Sequence, residues 1–188
     1  MPSQRDDVLS LLAGERAARL LVFGGLPSLT ALGLRHAGLA YNQVHGDAGR
    51  MAAAAVSTAQ VFGYASVVVP HDMCVEAQAL GAAVDFHDEA AGFSPPLVTG
   101  PLSAATEPAQ LGNPPAVLSA GRVPVVLEAL QRLKQRRETT VAIGAWVPGP
   151  FTLGWQLYGL DAWMEIVTDR DELVPRLALL GEVLAHVA

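Results

Sequence analysis

Three features of the sequence predict a parallel α/β fold. Residues 65–69 (ASVVV) and 140–146 (TVAIGAW) are short apolar runs of the kind that form strands buried on both faces. Each is followed by a turn and a helix-forming stretch, the alternation expected of strand–helix units. The composition is 51% hydrophobic and 16% charged over 188 residues, which excludes disorder and implies a sizeable core. A complete eight-strand α/β barrel takes ~250 residues, so the chain reads as part of one.

Taken in order, residues 7–13 form a helix with Val8, Leu11 and Leu12 at helical spacing, ended by Gly14. Residues 19–23 read as a strand that opens into a loop at Gly24-Gly25. A short helix starts at Pro27-Ser28 and runs to Leu34. Asp47 is placed to cap a longer helix with Met51, Ala55, Ala59 and Phe62 on one face and Gly63 at its end.

The strand at 65–69 stops at Pro70. His71, Asp72, Met73 and Cys74 follow, before one or two helical turns over 75–80 closed by Gly81. A polar cluster just past the C-terminal end of a buried parallel strand is where α/β folds place ligand sites.

Residues 85–115 lose periodicity and read as a long loop. Residues 122–137 return to helix, with Val123, Val126, Leu127, Leu130 and Leu133 as the buried stripe. After the strand at 140–146, Pro148-Gly149-Pro150 makes a tight turn into a helix over 151–158. Asp169 and Glu172 have capping-box spacing. The last helix carries Leu173, Leu177, Leu180, Leu184 and Val187 on one stripe, with Pro175 expected to delay or kink its start.

Several function classes are disfavoured at this level. The net charge is −6, and Arg132, Lys134, Arg136 and Arg137 read as a solvated helix face rather than a nucleic-acid footprint. The single cysteine permits neither an internal disulfide nor a multi-cysteine zinc site. Residues 51–71 and 139–160 carry no Asp, Glu, Lys or Arg, but glycines and prolines break both into short pieces, so no membrane span is expected. With no apolar leader in MPSQRDD, a cytoplasmic location is the expectation.

The residues around 71–81 admit more than one reading. Asp72 is either a pocket acid or a helix cap, and Glu76 lies within reach of the same cavity, although a position one turn into a helix is commonly surface. His71 and Cys74 have His-x-x-Cys spacing, but two ligands do not make a metal site. His36 and His45 fall in a loop, where a histidine is by default exposed. Trp146, Phe151, Trp155 and Trp163 suit either an apolar pocket wall or core packing.

At this point the segments VLSLLAGERAARLLVFG, HGDAGRMAAAAVSTAQVFGYASVVVPHDMCVEAQALGAAVDF, and IGAWVPGPFTLGWQLYG followed by TDRDELVPRL carry a likeness. The chain resembles the uroporphyrinogen decarboxylase superfamily, and within it the corrinoid-dependent methyltransferases that use methylcobalamin and coenzyme M or similar acceptors. The resemblance implies a TIM barrel, the (β/α)8 fold, of which residues 1–188 form a single domain equivalent to the N-terminal half. It implies methyl transfer from a methylated corrinoid, free as methylcobalamin or on a corrinoid protein, to a small thiol.

The family's zinc ligands, a His-x-Cys pair and a distant Cys, belong to the C-terminal half. No His-x-Cys occurs here, so zinc is expected only if another chain supplies that half. Asp72, Gln78, Ala79, Leu80 and Gly81 match the decarboxylases' Asp-x5-Gln-Ala-Leu-Gly, which makes Asp72 the catalytic carry-over, with His71, Met73, Glu76 and Gln156 as substrate-binding neighbours. Gln156 stands where the decarboxylases have a pocket tyrosine, and their arginine-rich segment has no counterpart in GGLPSLTALGL.

Two alternatives follow from the same resemblance. One is a tetrapyrrole decarboxylase; the other is a non-catalytic truncated paralogue acting in self-association or subunit docking. Unpaired strand edges and the leucine stripe of the last helix lead to the expectation of a homo-oligomer or a complex with a C-terminal half, with no nucleic-acid or membrane partner.

Overall fold

The computed structural model describes residues 3–17, 19–24, 29–88, 92–102, 114–136 and 140–188. In chain order these form α1 (Gln4–Leu12), α2 (Ala31–Ala37), α3 (Ala48–Phe62), β1 (Ser66–Val69), α4 (Val75–Ala79), β2 (Ala83–Asp85), β3 (Leu97–Gly100), α5 (Val123–Gln135), β4 (Ala142–Ala145), α6 (Pro150–Tyr158), α7 (Leu160–Thr168) and α8 (Arg170–Val187). Short 3-10 turns span Tyr41–Val44 and Pro114–Ser119. Among the described residues no helix is long and apolar enough to cross a membrane. The chain divides into two compact units whose segments interleave: Met1–Asp72, Asp88–Ser94 and Val125–Trp146 in the first, and Met73–His87, Pro95–Pro124 and Val147–Ala188 in the second.

The first unit is built on the two strands that the apolar runs predict. They pair in parallel, with Ser66 opposite Ala142 and Val69 opposite Ala145. Val67 and Val69 are sealed from solvent, as β-branched residues buried in a sheet should be. Helix α3 covers β1. Asp47 caps it by accepting from the Arg50 N–H at 2.7 Å, and Gly63 ends it in the left-handed conformation that glycine adopts without strain.

The alanine-rich face of α3 lets α2 approach closely. A Cβ at Gly33 would lie 2.8 Å from the Thr58 Cα, so any side chain there collides with α3 backbone. Ser57 Oγ locks this approach by donating to the Gly33 carbonyl at 2.7 Å. That contact steers the chain leaving α2 into the Tyr41–Val44 turn, where Leu29, Leu34, Tyr41, Val44 and Ala54 form one core cluster.

The second unit holds a different core. Leu153, Leu157, Tyr158, Trp163, Ile166, Leu180 and Leu184 from α6, α7 and α8 pack with Ala77 and Ala82. Trp163 stacks on Tyr158 at 5.8 Å and 6°. Position 154 must be glycine because a Cβ there would come within 2.7 Å of Trp163 Cε2. Strands β2 and β3 form an antiparallel pair, so the stretch read as a continuous loop contains a strand.

Several expectations are corrected. Residues 19–23 do not form a strand. Val22 accepts a backbone bond from Ala65 at 2.8 Å and Gly24 meets Ser66 Oγ at 3.0 Å, but Leu20 is 95% exposed and no ladder develops. Pro27 and Ser28 lie outside the described residues, and the helix after them starts at Ala31 with Thr30 as its cap. Phe62 is exposed and stacks on Tyr64 instead of facing inward with Met51.

Pro175 does not delay α8, which starts at Arg170 because Asp169 Oδ1 accepts from the Asp171 N–H at 2.9 Å. The leucine stripe of α8 is not left over for another chain. Leu180 and Leu184 are core residues and Leu173 and Leu177 pack against them, so the burial argument for association does not hold. Arg132, Lys134 and Arg136 are solvated, as read; Arg137 lies outside the described residues.

Candidate functional site

The polar tip of β1 is buried. Pro70, His71 and Asp72 follow the strand directly, and His71 and Asp72 are 2% and 4% exposed. The capping reading of Asp72 is overturned, because α4 starts later, at Val75, with Cys74 at its N-cap position. The Asp72 carboxylate instead meets a histidine 27 residues earlier: His45 Nδ1 lies 2.9 Å from Oδ2. An ionised carboxylate only accepts, so the ring nitrogen is the donor. His45 is fully buried, against the default reading of an exposed loop histidine. His36, read the same way, is exposed.

Local structure explains how His45 reaches this position. It closes the Tyr41–Val44 turn and lies two residues before the Asp47 cap, so its backbone is held from both sides. Its ring meets Tyr41 edge-on, with centroids 4.8 Å apart at 85°. Tyr41 is in turn stacked by Phe93 at 4.1 Å and 24°.

His71 is a second buried imidazole with a different assignment. Nε2 lies 3.1 Å from the Met51 carbonyl, which can only accept, so Nε2 carries the proton. Burial, the dominant cause, pushes its pKa down to about 4. The Met51 bond and the Asp72 charge oppose that shift, and nearby His45 adds to it. His71 is therefore neutral at pH 7, with Nδ1 as a buried lone pair that finds no partner among the described residues.

The other sequence-predicted site residues belong to the second unit. Glu76 is 1% exposed, not a surface position, and Gln156 is 9% exposed. Gln156 Oε1 accepts nothing among the described residues. Met73 is 36% exposed. Cys74 is buried and donates to the Pro96 carbonyl at 3.3 Å, so its thiol is occupied structurally. Gln78 of the Gln-Ala-Leu-Gly motif accepts from buried Arg122 Nε at 2.7 Å. Of the four aromatics proposed as a pocket wall, Trp163 is core, while Phe151 and Trp155 are about half exposed.

His45 is the residue that sequence reasoning missed as a partner of Asp72. The available signal was the His-x-Asp run at 45–47, in which the aspartate is a helix cap and holds the backbone two positions after the histidine. An open cavity of about 310 Å³ in the first unit lies at the other ends of the strands, lined by Tyr64, Val67 and Thr140. The buried acid, not this cavity, holds the paired titratable groups, and strand C-terminal ends are where α/β folds place their chemistry.

Among the described residues no three His, Cys, Asp or Glu side chains come together as a metal site. The Asp72–His45 pair is sealed, and two such groups fall short of the three side chains a zinc site takes from a protein.

Comparison with known proteins adds the following. The family described as Uroporphyrinogen decarboxylase (URO-D) matches residues 3–187. A methylcobamide:CoM methyltransferase, MtbA, of Methanosarcina acetivorans is 29% identical over 140 residues, covering 74% of this chain and 40% of the relative. A methylated-thiol–coenzyme M methyltransferase of Methanosarcina mazei is 30% identical over 119 residues, 63% of this chain and 31% of the relative. A solved methyltransferase from Methanosarcina mazei superposes with a TM-score of 0.84 at 22% identity, over 97% of this chain and 53% of that one. The chain thus spans two fifths or less of the length of these curated relatives. Its fold is part of a TIM barrel.

Proposed function

The chain belongs to the uroporphyrinogen decarboxylase family, and from that premise we propose that it serves methyl transfer from a methylated corrinoid to a thiol acceptor. The observation that carries this reading is the buried Asp72, held by a ring N–H directly past the end of β1. The relatives named for methylcobamide and coenzyme M supply the direction. In this reading the corrinoid is a co-substrate and Asp72 accepts a hydrogen bond from it. His71 stays neutral beside the acid. Zinc, which would activate the thiol, has no three-residue ligand set among this chain's described residues.

The reaction joins the methyl group to the thiol sulfur, releases the thiol proton, and leaves the bonding electron pair of the methyl–cobalt bond on the corrinoid. Removing water from such a site strengthens any charge-assisted hydrogen bond within it.

The test is a titration of the purified chain with methylcobalamin, followed by addition of 2-mercaptoethanesulfonate (coenzyme M). Binding of methylcobalamin is expected. Asp72→Asn should weaken it by about tenfold or more, since a charge-assisted bond contributes on the order of 1.5–3 kcal/mol. No binding, or the same affinity in a folded Asp72→Asn, rejects the reading. Binding without demethylation would confine this chain's part to holding the donor.

A further inference from the structure

We propose that the open cavity at the N-terminal ends of β1 and β4 binds a small organic anion, a compact apolar body with one carboxylate or phosphate head, and that Arg136 takes the head. The site lies at the strand ends away from Asp72, and it does not rest on the methyl-transfer reading.

The cavity follows from the last two turns of α3. Val56, Ala59, Gln60 and Gly63 recur at the spacing of one helix face, and all four line it. Ala59 and Gly63 are small, so the face recedes there. Gly63 ends the helix in the left-handed conformation, and Tyr64 leads the chain back towards β1. Val67 of β1 and Val141, just before β4, add apolar wall. The space is about 310 Å³, at the lower end of the range for small-molecule sites.

The charge in the lining has one sign. Gln60, Tyr64 and Thr140 are neutral groups that can each donate or accept, whereas Arg136 is a cation, and no acid among the described residues lines the cavity. Arg136 differs from its neighbour on α5. Arg132 is held by Glu128 one turn earlier, with Nε and Nη2 at 2.9 and 2.7 Å from Oε1. The residue one turn before Arg136 is Arg132 itself, so the same pairing is closed to it, and among the described residues it forms no ion pair.

Both arginines also line an adjoining cavity of about 280 Å³ beside Gly49 and Ala52, which gathers positive charge on this side. Helix amides do not supply the anion's partner. The end of α3 that meets the first cavity is its C-terminus, whose carbonyl dipoles favour a cation. The head is therefore left to the guanidinium, whose forked N–H donors match a carboxylate or phosphate.

Backbone nitrogen-15 NMR of the chain, titrated with benzoate, phenyl phosphate and benzamide, tests the proposal. Benzamide has the shape of benzoate without its charge. Benzoate or phenyl phosphate should shift the signals of Gly63, Tyr64 and Val141 with millimolar affinity, the range expected of ligands this small, and the tighter of the two identifies the head. Benzamide should bind at least about tenfold more weakly. Arg136→Gln, at an exposed position, should weaken the anion about tenfold, whereas Lys134→Gln, which removes a cation of the same helix outside both cavities, should leave it unchanged. Asp72→Asn should leave it unchanged as well.

No shift from either anion, equal affinity for benzamide, or equal losses in the Arg136 and Lys134 variants overturns the proposal. So does a loss in folded Asp72→Asn as large as in Arg136→Gln, which would put the anion at the other strand ends. The benzamide comparison needs no variant and stands if one fails to fold. A chain that binds benzoate at these residues but no methylcobalamin loses the methyl-transfer reading and keeps this site.

Discussion

The two units bury charge in opposite ways. In the first, Asp72 lies at the end of a strand and is held by His45, 27 residues away in sequence, with both side chains sealed. In the second, Arg176 is buried on α8 and held from within its own helix, by the carbonyl and carboxylate of Glu172 one turn earlier. Its guanidinium also lies over the Tyr158 ring at 5.7 Å. The local pair closes wherever the helix forms. The distant pair exists only once α2, α3 and β1 have packed. A buried pair assembled from separate elements is costly to build and strongly oriented, which suits a site, whereas a pair along one helix serves the stability of that helix.

The sharpest way to break this contrast is to remove the donor from the distant pair. His45→Leu is expected to lower stability by about 3 kcal/mol, because it takes away the ring N–H that a buried carboxylate accepts. Pairing it with Asp72→Leu should recover much of the loss. Urea unfolding of both variants measures this, and a double variant as unstable as the single one would show that packing, not charge, sets the cost.

Acidification comes next. His71 is held neutral down to about pH 4 in the folded chain, whereas its ordinary pKa is 6.5. Between those values the unfolded chain binds more protons, so stability falls as pH drops from 6.5 towards 4 and loses nothing further from this group below that. The full span corresponds to about 3 kcal/mol. His71→Gln should flatten this part of the stability–pH curve relative to the parent; superimposable curves would place His71 in a more open setting than its 2% exposure indicates.

The approach of α2 to α3 sharpens the comparison further. Gly33→Ala inserts a methyl against the Thr58 backbone and should cost about 1–3 kcal/mol. Because the same contact aims the Tyr41–Val44 turn, the variant should also weaken the His45 Nδ1–H signal in nitrogen-15 NMR of the histidine rings. Loss of stability with an unchanged signal would uncouple helix packing from the site.

The smallest effect belongs to the local pair. Glu172 is about half exposed, so Glu172→Ala should cost only about 0.5 kcal/mol in thermal or urea unfolding. A loss matching that of His45→Leu would erase the distinction between the two units.

What the sequence determined by itself was local. Residues 65–69 and 140–146 announced strands by β-branched and apolar content, Asp47 and Asp169 announced helix starts, and Gly63 a helix end, because each of these signals acts through its own backbone or within one helical turn. The motif from Asp72 to Gly81 pointed to the acid for the same reason: it is read along the chain. The tertiary structure alone decided that Asp72 is not a cap, that His45 is buried against it, that Glu76 is interior, and that the α8 leucines are consumed by α6 and α7. Residues 19–23 have strand composition yet form no ladder, since a strand requires a partner in register and composition does not specify one. Pairings across 27 residues depend on the crossing of α2 over α3, set by a missing side chain at Gly33, and neither hydrophobic period nor residue type encodes that approach.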